Sequence, residues 1–406
     1  MFCPTFNRSE RRPDVNGLCS LFSQMLKLIP RTEFAQMVKQ TRAERHARGF
    51  GSWDHLVAML FCQLGRASTL REICQGLASC EGKLTHLGVE PVRRSTLSYA
   101  NAHRPWQLFE AVFHGLHERL AGQLQWGRRK FLFKNKLKSL DASVIDLSLE
   151  LYDWARFRRT KGAVKLHLVL DHEGHLPAFM VLTDGRRHEV KVAHELKFDP
   201  GTIVVMDRGY NDYLLFGRWC AQGVYFVTRM KRPSAYTIIE RRPVSAAGVI
   251  KDEIIRFDHY YEARRDCPYD LRRIEYVRPD TGEVLVFLTN HLKLSAATIA
   301  RVYKERWRIE LFFKAIKQNL KIKTFVGTSP NAVRIQVFSA LIAMLMLRFM
   351  QLRSRFGWSL SNLVALLRMN LFTHRDLWAW LDKPFGDPPA APLAPAQALL
   401  PFAQAA

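Results

Sequence analysis

Tyr303, Arg306, Glu310 and Lys317 are spaced three, four and seven residues apart in a segment that reads as helix. At about 100° per residue they fall at roughly 0°, −60°, −20° and −40°, one stripe about 60° wide. The apolar residues Val302, Ile309, Phe313, Ile316 and Leu320 cluster about a quarter-turn away, as a core-facing stripe should. A carboxylate is thus held beside two cations and a phenol at the edge of a buried face. That suits a metal-binding carboxylate whose neighbours hold phosphate oxygens. Taken alone, Arg306 and Glu310 are also an ordinary i,i+4 surface pair.

Two aspartates supply the missing partners. Asp207 caps the wholly apolar run Ile203 to Met206, the mark of a strand buried on both faces. Asp141 follows Lys138-Ser139-Leu140 in the first long strand. Ligands of such sheets collect outside the strand ends. Two strand aspartates and a helix glutamate converging there can hold two hard cations through oxygen. Two magnesium ions about 4 Å apart serve in-line displacement at a phosphodiester. Asp146 lies an odd number of residues from Asp141 and so faces the other side of a strand. Glu305 points about 140° away from Glu310 on a regular helix.

The elements that must position these groups follow from periodicity. Residues 1–125 read as a helical N-terminal domain, with a capping box at Thr69-Leu70-Arg71-Glu72. The basic start Arg93-Arg94-Ser95-Thr96 of a further helix makes Arg93 and Arg94 candidate DNA contacts. From 129 the period changes. Phe131 to Phe133, Ser139 to Leu149, Val164 to Leu170 and Leu176 to Leu182 read as strands, with a hairpin turn at His172-Glu173-Gly174-His175. A helix (Arg187 to Leu196), the buried strand at 203, a helix from Asp212 to Cys220 and a strand from Tyr225 to Arg229 follow. The fold class is α/β: a mixed sheet with helices on its faces over 129–229 and 291–350, interrupted by a β-rich insertion at 230–290. C-terminal helices occupy 351–383, and the Pro/Ala-rich stretch 384–406 reads as disordered.

The chain has 406 residues and a net charge of +24, which points to a polyanionic partner, with DNA ahead of an anionic membrane. The longest apolar run, Val337 to Leu347, is too short to span a bilayer and reads as a core helix. No signal-peptide core follows the N-terminal arginines, so a cytoplasmic location is expected. The seven cysteines have irregular spacing and no C-x-x-C pair, supporting neither a disulfide framework nor a zinc site.

In combination, Ser139-Leu140-Asp141-Ala142-Ser143, Met206-Asp207-Arg208-Gly209-Tyr210 and Tyr303-x2-Arg306-x3-Glu310-x6-Lys317 resemble the DDE transposases of bacterial insertion sequences. They look like the group named after insertion sequence 4, with its Y-x2-R-x3-E-x6-K signature. The segment from Trp154 to His167, which contains Lys165, and Thr183-Asp184-Gly185 are similar to that family too. The resemblance implies a ribonuclease-H-like core and metal-dependent cleavage at transposon ends, followed by attack of the freed 3′-hydroxyl on target DNA. It implies Asp141, Asp207 and Glu310 as ligands for Mg²⁺, with Mn²⁺ able to substitute. It implies Tyr303, Arg306 and Lys317 as phosphate contacts, with Lys165 and Arg208 as further DNA contacts. A homodimer on double-stranded DNA and a nucleoid-associated state follow from the same resemblance. Some relatives stack a flipped base on a tryptophan of the insertion. This insertion has none, leaving Phe257, Tyr260 or Tyr261 as substitutes. The alternatives are a DNA-binding protein descended from a transposase without cleavage activity, and a structure-specific nuclease of the same fold.

Overall fold

Four consecutive apolar residues form β5 (Ile203–Met206), and every one of them is buried. In the computed structural model this strand lies inside one ten-stranded sheet. The structure describes residues 19–385, less 46, 48, 81–83, 85–86, 124–130, 132, 149–150, 159–160, 174–175, 186, 232–233, 245, 259–265 and 323. The tail from 386, Tyr260 and Tyr261 therefore lie outside the described residues.

The other strands are β1 (Leu137–Leu147), β2 (Arg156–Arg158), β3 (Lys161–Asp171), β4 (Leu176–Asp184), β6 (Tyr225–Arg229), β7 (Tyr236–Arg241), β8 (Val249–Phe257), β9 (Leu271–Val277) and β10 (Val284–Thr289). Their order is β2-β3-β1-β5-β6-β10-β9-β8-β7, with β4 also paired to β3. β5 runs parallel to both β1 and β6, and β10 returns antiparallel to β6. The strands between 230 and 290 therefore extend the same sheet rather than building one of their own. Phe131 and Phe133 are not in a strand. Their rings stack on each other at 4.9 Å, just ahead of β1.

Alternation along the strands divides the core. Ile203 and Val205 pack with Leu137 and Val227 against α9 (Ala296–Lys304). Val204 and Met206 pack on the other face with Leu140, Phe226 and the side chains of α8 (Tyr213–Ala221). Between β4 and β5 lies the short helix α7 (Glu189–Glu195), whose Val192 and Ala193 are buried.

Helices α1 (Leu21–Leu26), α2 (Arg31–Thr41), α3 (Ser52–Leu64), α4 (Leu70–Ala78), α5 (Arg94–His103) and α6 (Gln107–Gln123) precede the sheet. The Thr69 cap of α4 forms, but the return bond of the expected capping box comes from the residue before the cap. Thr69 Oγ1 accepts from the Glu72 backbone at 3.1 Å, and Glu72 in return accepts from the Ser68 backbone at 2.8 Å. α3, α5 and α6 pack on α11 (Pro330–Arg353), so one hydrophobic cluster runs from Leu21 through the sheet to Leu381. α11 is the one helix among the described residues long and apolar enough to cross a membrane, and 83% of its apolar window is buried inside the protein. Two further helices, α12 (Leu360–Asn370) and α13 (Leu377–Asp382), close the chain. Cys19, Cys62, Cys74, Cys80, Cys220 and Cys267 are free thiols.

Candidate active site

The parallel pairing of β1 with β5 ends at Leu140 and Met206. Asp141 and Asp207 are the next residue on each strand. Neighbouring strands lie about 4.8 Å apart, so the two residues stand side by side where the parallel pairing ends. Beyond that point β1 continues, paired only with β3, where Asp141 stands opposite Leu168. Asp207 turns out of the sheet into a 3-10 turn, Arg208–Tyr210, which it caps by accepting from the Gly209 backbone at 3.0 Å.

The segment from Tyr303 to Lys317 is not one continuous helix. α9 ends at Lys304 and α10 (Trp307–Asn319) begins three residues later. Across the junction the bonds run i to i+3: Arg306 N–H to the Tyr303 carbonyl (3.0 Å) and Ile309 N–H to the Arg306 carbonyl (3.2 Å). This tighter winding brings residues three apart over one another. The Arg306 guanidinium accordingly sits 5.8 Å from the centre of the Tyr303 ring. The physical reason for the break is that the two halves serve different cores. Val302 is buried under the sheet beside Ile203 and Val205, whereas Ile309, Phe313 and Ile316 enter the large helical cluster. Glu305 is buried at the junction, 3.6 Å from Arg308, rather than turned to solvent.

Arg306 joins the helix to the sheet. One of its amino groups lies 2.6 Å from Glu310 Oε1 and the other 3.7 Å from Asp141 Oδ2. Lys317 reaches β1 a little further on, donating to Ser143 Oγ (2.7 Å) and to the Val144 carbonyl (3.1 Å). Tyr303 packs on Phe287 at 4.9 Å. Burial raises its pKa, Asp207 adds to the rise, and Arg306 opposes it. Burial pushes the Asp141 carboxyl up to about 6, against the pull of its bond from Ala142 N–H and of Arg306, and with a further push from Glu189 and Glu310. Tyr210 is fully buried, and its hydroxyl has no hydrogen-bond partner among the described residues.

The remaining candidates fall at different distances from this centre. Lys165 is close by and mostly buried, 3.4 Å from Glu189 Oε1 and donating to the Arg187 carbonyl at 3.2 Å. Arg208 is exposed on the turn beside Asp207. Arg93 and Arg94 are exposed at the start of α5, on the helical part of the chain. Phe257 is not available to stack a base: it is buried in the core, edge-on to Tyr213 at 4.7 Å. Glu189 is the residue that the spacing argument missed. The only signal near it in the sequence is Thr183-Asp184-Gly185, a few residues upstream.

Among the described residues, no three carboxylates stand at ligand distance from one point. The donors nevertheless fit a hard divalent cation in kind: they are all carboxylate oxygens, and two of them follow the last paired residues of neighbouring parallel strands. A positive group already bridges two of them, and it is Arg306.

Comparison with known proteins identifies the class. Residues 137–346, which carry all three carboxylates, match the family described as transposase DDE domain, and the chain belongs to the DDE transposases. Residues 19–90 match a domain of unknown function, DUF4372. The chain is 33% identical over 304 residues to a Sinorhizobium fredii protein named as transposase y4zB, covering 73% of this chain and 81% of that one. It is 30% identical over 224 residues to a Geobacillus stearothermophilus protein named as the transposase for insertion sequence element IS5377, covering 55% and 59%. It is 24% identical over 297 residues to a Synechocystis protein named as the transposase for insertion sequence element IS4SA, covering 70% and 80%. The last name agrees with the insertion-sequence-4-type grouping.

Proposed function

We propose that this transposase binds the terminal inverted repeats of its insertion sequence, cleaves DNA at their ends and joins the 3′-hydroxyl to target DNA. The observation that carries the reading is the placement of Asp141 and Asp207 immediately after the last paired residues of two neighbouring parallel strands, with Glu310 linked to Asp141 through Arg306. Asp141, Asp207 and Glu310 would hold Mg²⁺, or Mn²⁺ in its place. When bound, such ions activate the attacking oxygen and stabilise the leaving one. The ribonuclease-H-like description applies to the strands around β5 with α9 and α10, and 230–290 is the insertion within them.

The side chains divide the remaining work. Arg306 and Lys317 offer donors to phosphate oxygens beside the carboxylates, and Arg306's planar fork can grip one phosphate with two hydrogen bonds. Tyr303 holds the guanidinium by its ring face. Arg208 and Lys165 extend the positive rim, while Arg93 and Arg94 present charge from the helical domain over 1–125, which we assign to end recognition. The protein acts in the cytoplasm on double-stranded DNA, as a homodimer when two ends are paired.

Asp141→Ala, Asp207→Ala and Glu310→Ala should each lower end cleavage by at least about 1,000-fold, or ~4 kcal/mol of activation free energy. End binding in a mobility-shift assay should persist. Near-normal cleavage by any one of them would remove that residue from the ligand set. Asp146→Ala is the matched control and should cleave normally.

A further inference from the structure

A fourth carboxylate reaches the site from an element that none of the spacing motifs includes. Glu189 opens α7, which follows β4 and leads back towards β5. Its Oε1 faces Lys165 Nζ at 3.4 Å, and Lys165 is also fixed by the Arg187 carbonyl. Its Oε2 points elsewhere. It lies 3.5 Å from where a Cβ on Gly209 would stand, and Asp207 Oδ1 lies 3.7 Å from the same point. The carboxylates of Glu189 and Asp207 therefore flank one glycine, with no side chain between them. The buried, unpartnered Tyr210 hydroxyl is the second mark of this place. Burial first, and then Glu189, Asp141 and Asp207, oppose its ionisation.

A carboxylate serving only as the counter-ion of Lys165 would satisfy that lysine and need nothing more. Here one oxygen is tied to Lys165 while the other is left facing Asp207. That is the arrangement of a carboxylate fixed from behind so that its free oxygen can accept hydrogen bonds from a metal's water ligands. We propose that Glu189 is a positioning residue for the divalent cation held by Asp207 and Asp141, with Lys165 fixing its orientation. The inference rests on the metal-dependent reading above.

The test is Mn²⁺ titration of the full-length protein without DNA, followed by electron paramagnetic resonance and by calorimetry. Glu189→Gln keeps the shape and should weaken Mn²⁺ binding by about 10- to 100-fold, with an unchanged thermal melt in the metal-free state. Glu189→Asp keeps the charge on a shorter arm and should recover part of that loss. Unchanged Mn²⁺ affinity in Glu189→Gln, with only DNA affinity altered, would show that Glu189 merely neutralises Lys165, and the proposal would fall. Asp207→Asn separates the two levels. If the wild-type protein binds no Mn²⁺, or binds it equally well as Asp207→Asn, the metal-dependent reading itself fails whatever Glu189 does.

Discussion

In the far half of the sheet, Arg272 on β9 grips Asp252 on β8 with two hydrogen bonds of 2.7 and 2.6 Å, and both side chains are almost fully buried. Arg273 holds Glu253 at 2.8 Å and also pairs with Glu275. In the near half, Arg306 approaches Asp141 only to 3.7 Å, its Nε is buried without a partner among the described residues, and burial lifts the Asp141 pKa to about 6. The same residue types are thus used in two ways. Where charges are matched and bidentate they serve the fold. Where burial outweighs pairing, the carboxylate is held in a state that a stronger cation would relieve. An incomplete salt bridge where a parallel strand pairing ends is the more informative sign of chemistry.

The contrast breaks most forcefully at Arg272. Arg272→Met strands a buried Asp252 and should cost about 3–5 kcal/mol of stability in urea or thermal unfolding. The double change Arg272→Met with Asp252→Leu should recover most of that loss. If the single variant is as stable as wild type, the far-half pairs are not structural.

Arg306 should behave in the opposite manner, sparing the fold and altering the chemistry. Arg306→Lys keeps the charge but loses the planar fork, and strand transfer should fall about 10- to 100-fold, or roughly 1.4–2.7 kcal/mol. Single-turnover joining across a metal titration measures this. Full rescue by extra metal would assign Arg306 to the metal site instead of the phosphate.

The smallest expected effect is a gain. The folded-state pKa of Asp141, about 6, lies above the usual unfolded value of about 3.9. The native state therefore holds this proton more tightly, and the contribution to stability is complete below about pH 4 and lost as pH rises through 6. Asp141→Asn should remove the cost of ionisation. In EDTA it should raise stability by about 1–2 kcal/mol at pH 7–8 and by almost nothing at pH 4. A stabilisation independent of pH would mean that burial of this charge is not its cause.

Much of the site could be read from the sequence because its residues end or interrupt apolar runs. Asp207 follows four buried residues, and the core stripe Val302, Ile309, Phe313, Ile316 and Leu320 is buried throughout. The break at 305–306 was hidden because the same apolar residues fit an unbroken helix, and only the existence of two separate cores separates them. Glu189 was hidden for another reason. No spacing relates it to the other carboxylates, and its approach to Gly209 depends on how the chain returns from β4 to β5. The turn residues between 230 and 290 mark strand ends, but nothing local specifies that β10 would pair with β6 and carry those strands into the main sheet.

That continuity gives the molecule a fixed length scale. From β5, whose last residue Met206 precedes Asp207, the edge strand β7 with Arg241 is five strands away. At about 4.8 Å per strand this is about 24 Å, or about seven base pairs of duplex at 3.4 Å each. The hydrogen bonds between strands make the span stiff, unlike a flap on a tether. The carboxylates and the far edge are therefore held at a set offset, fixed by the width of the sheet.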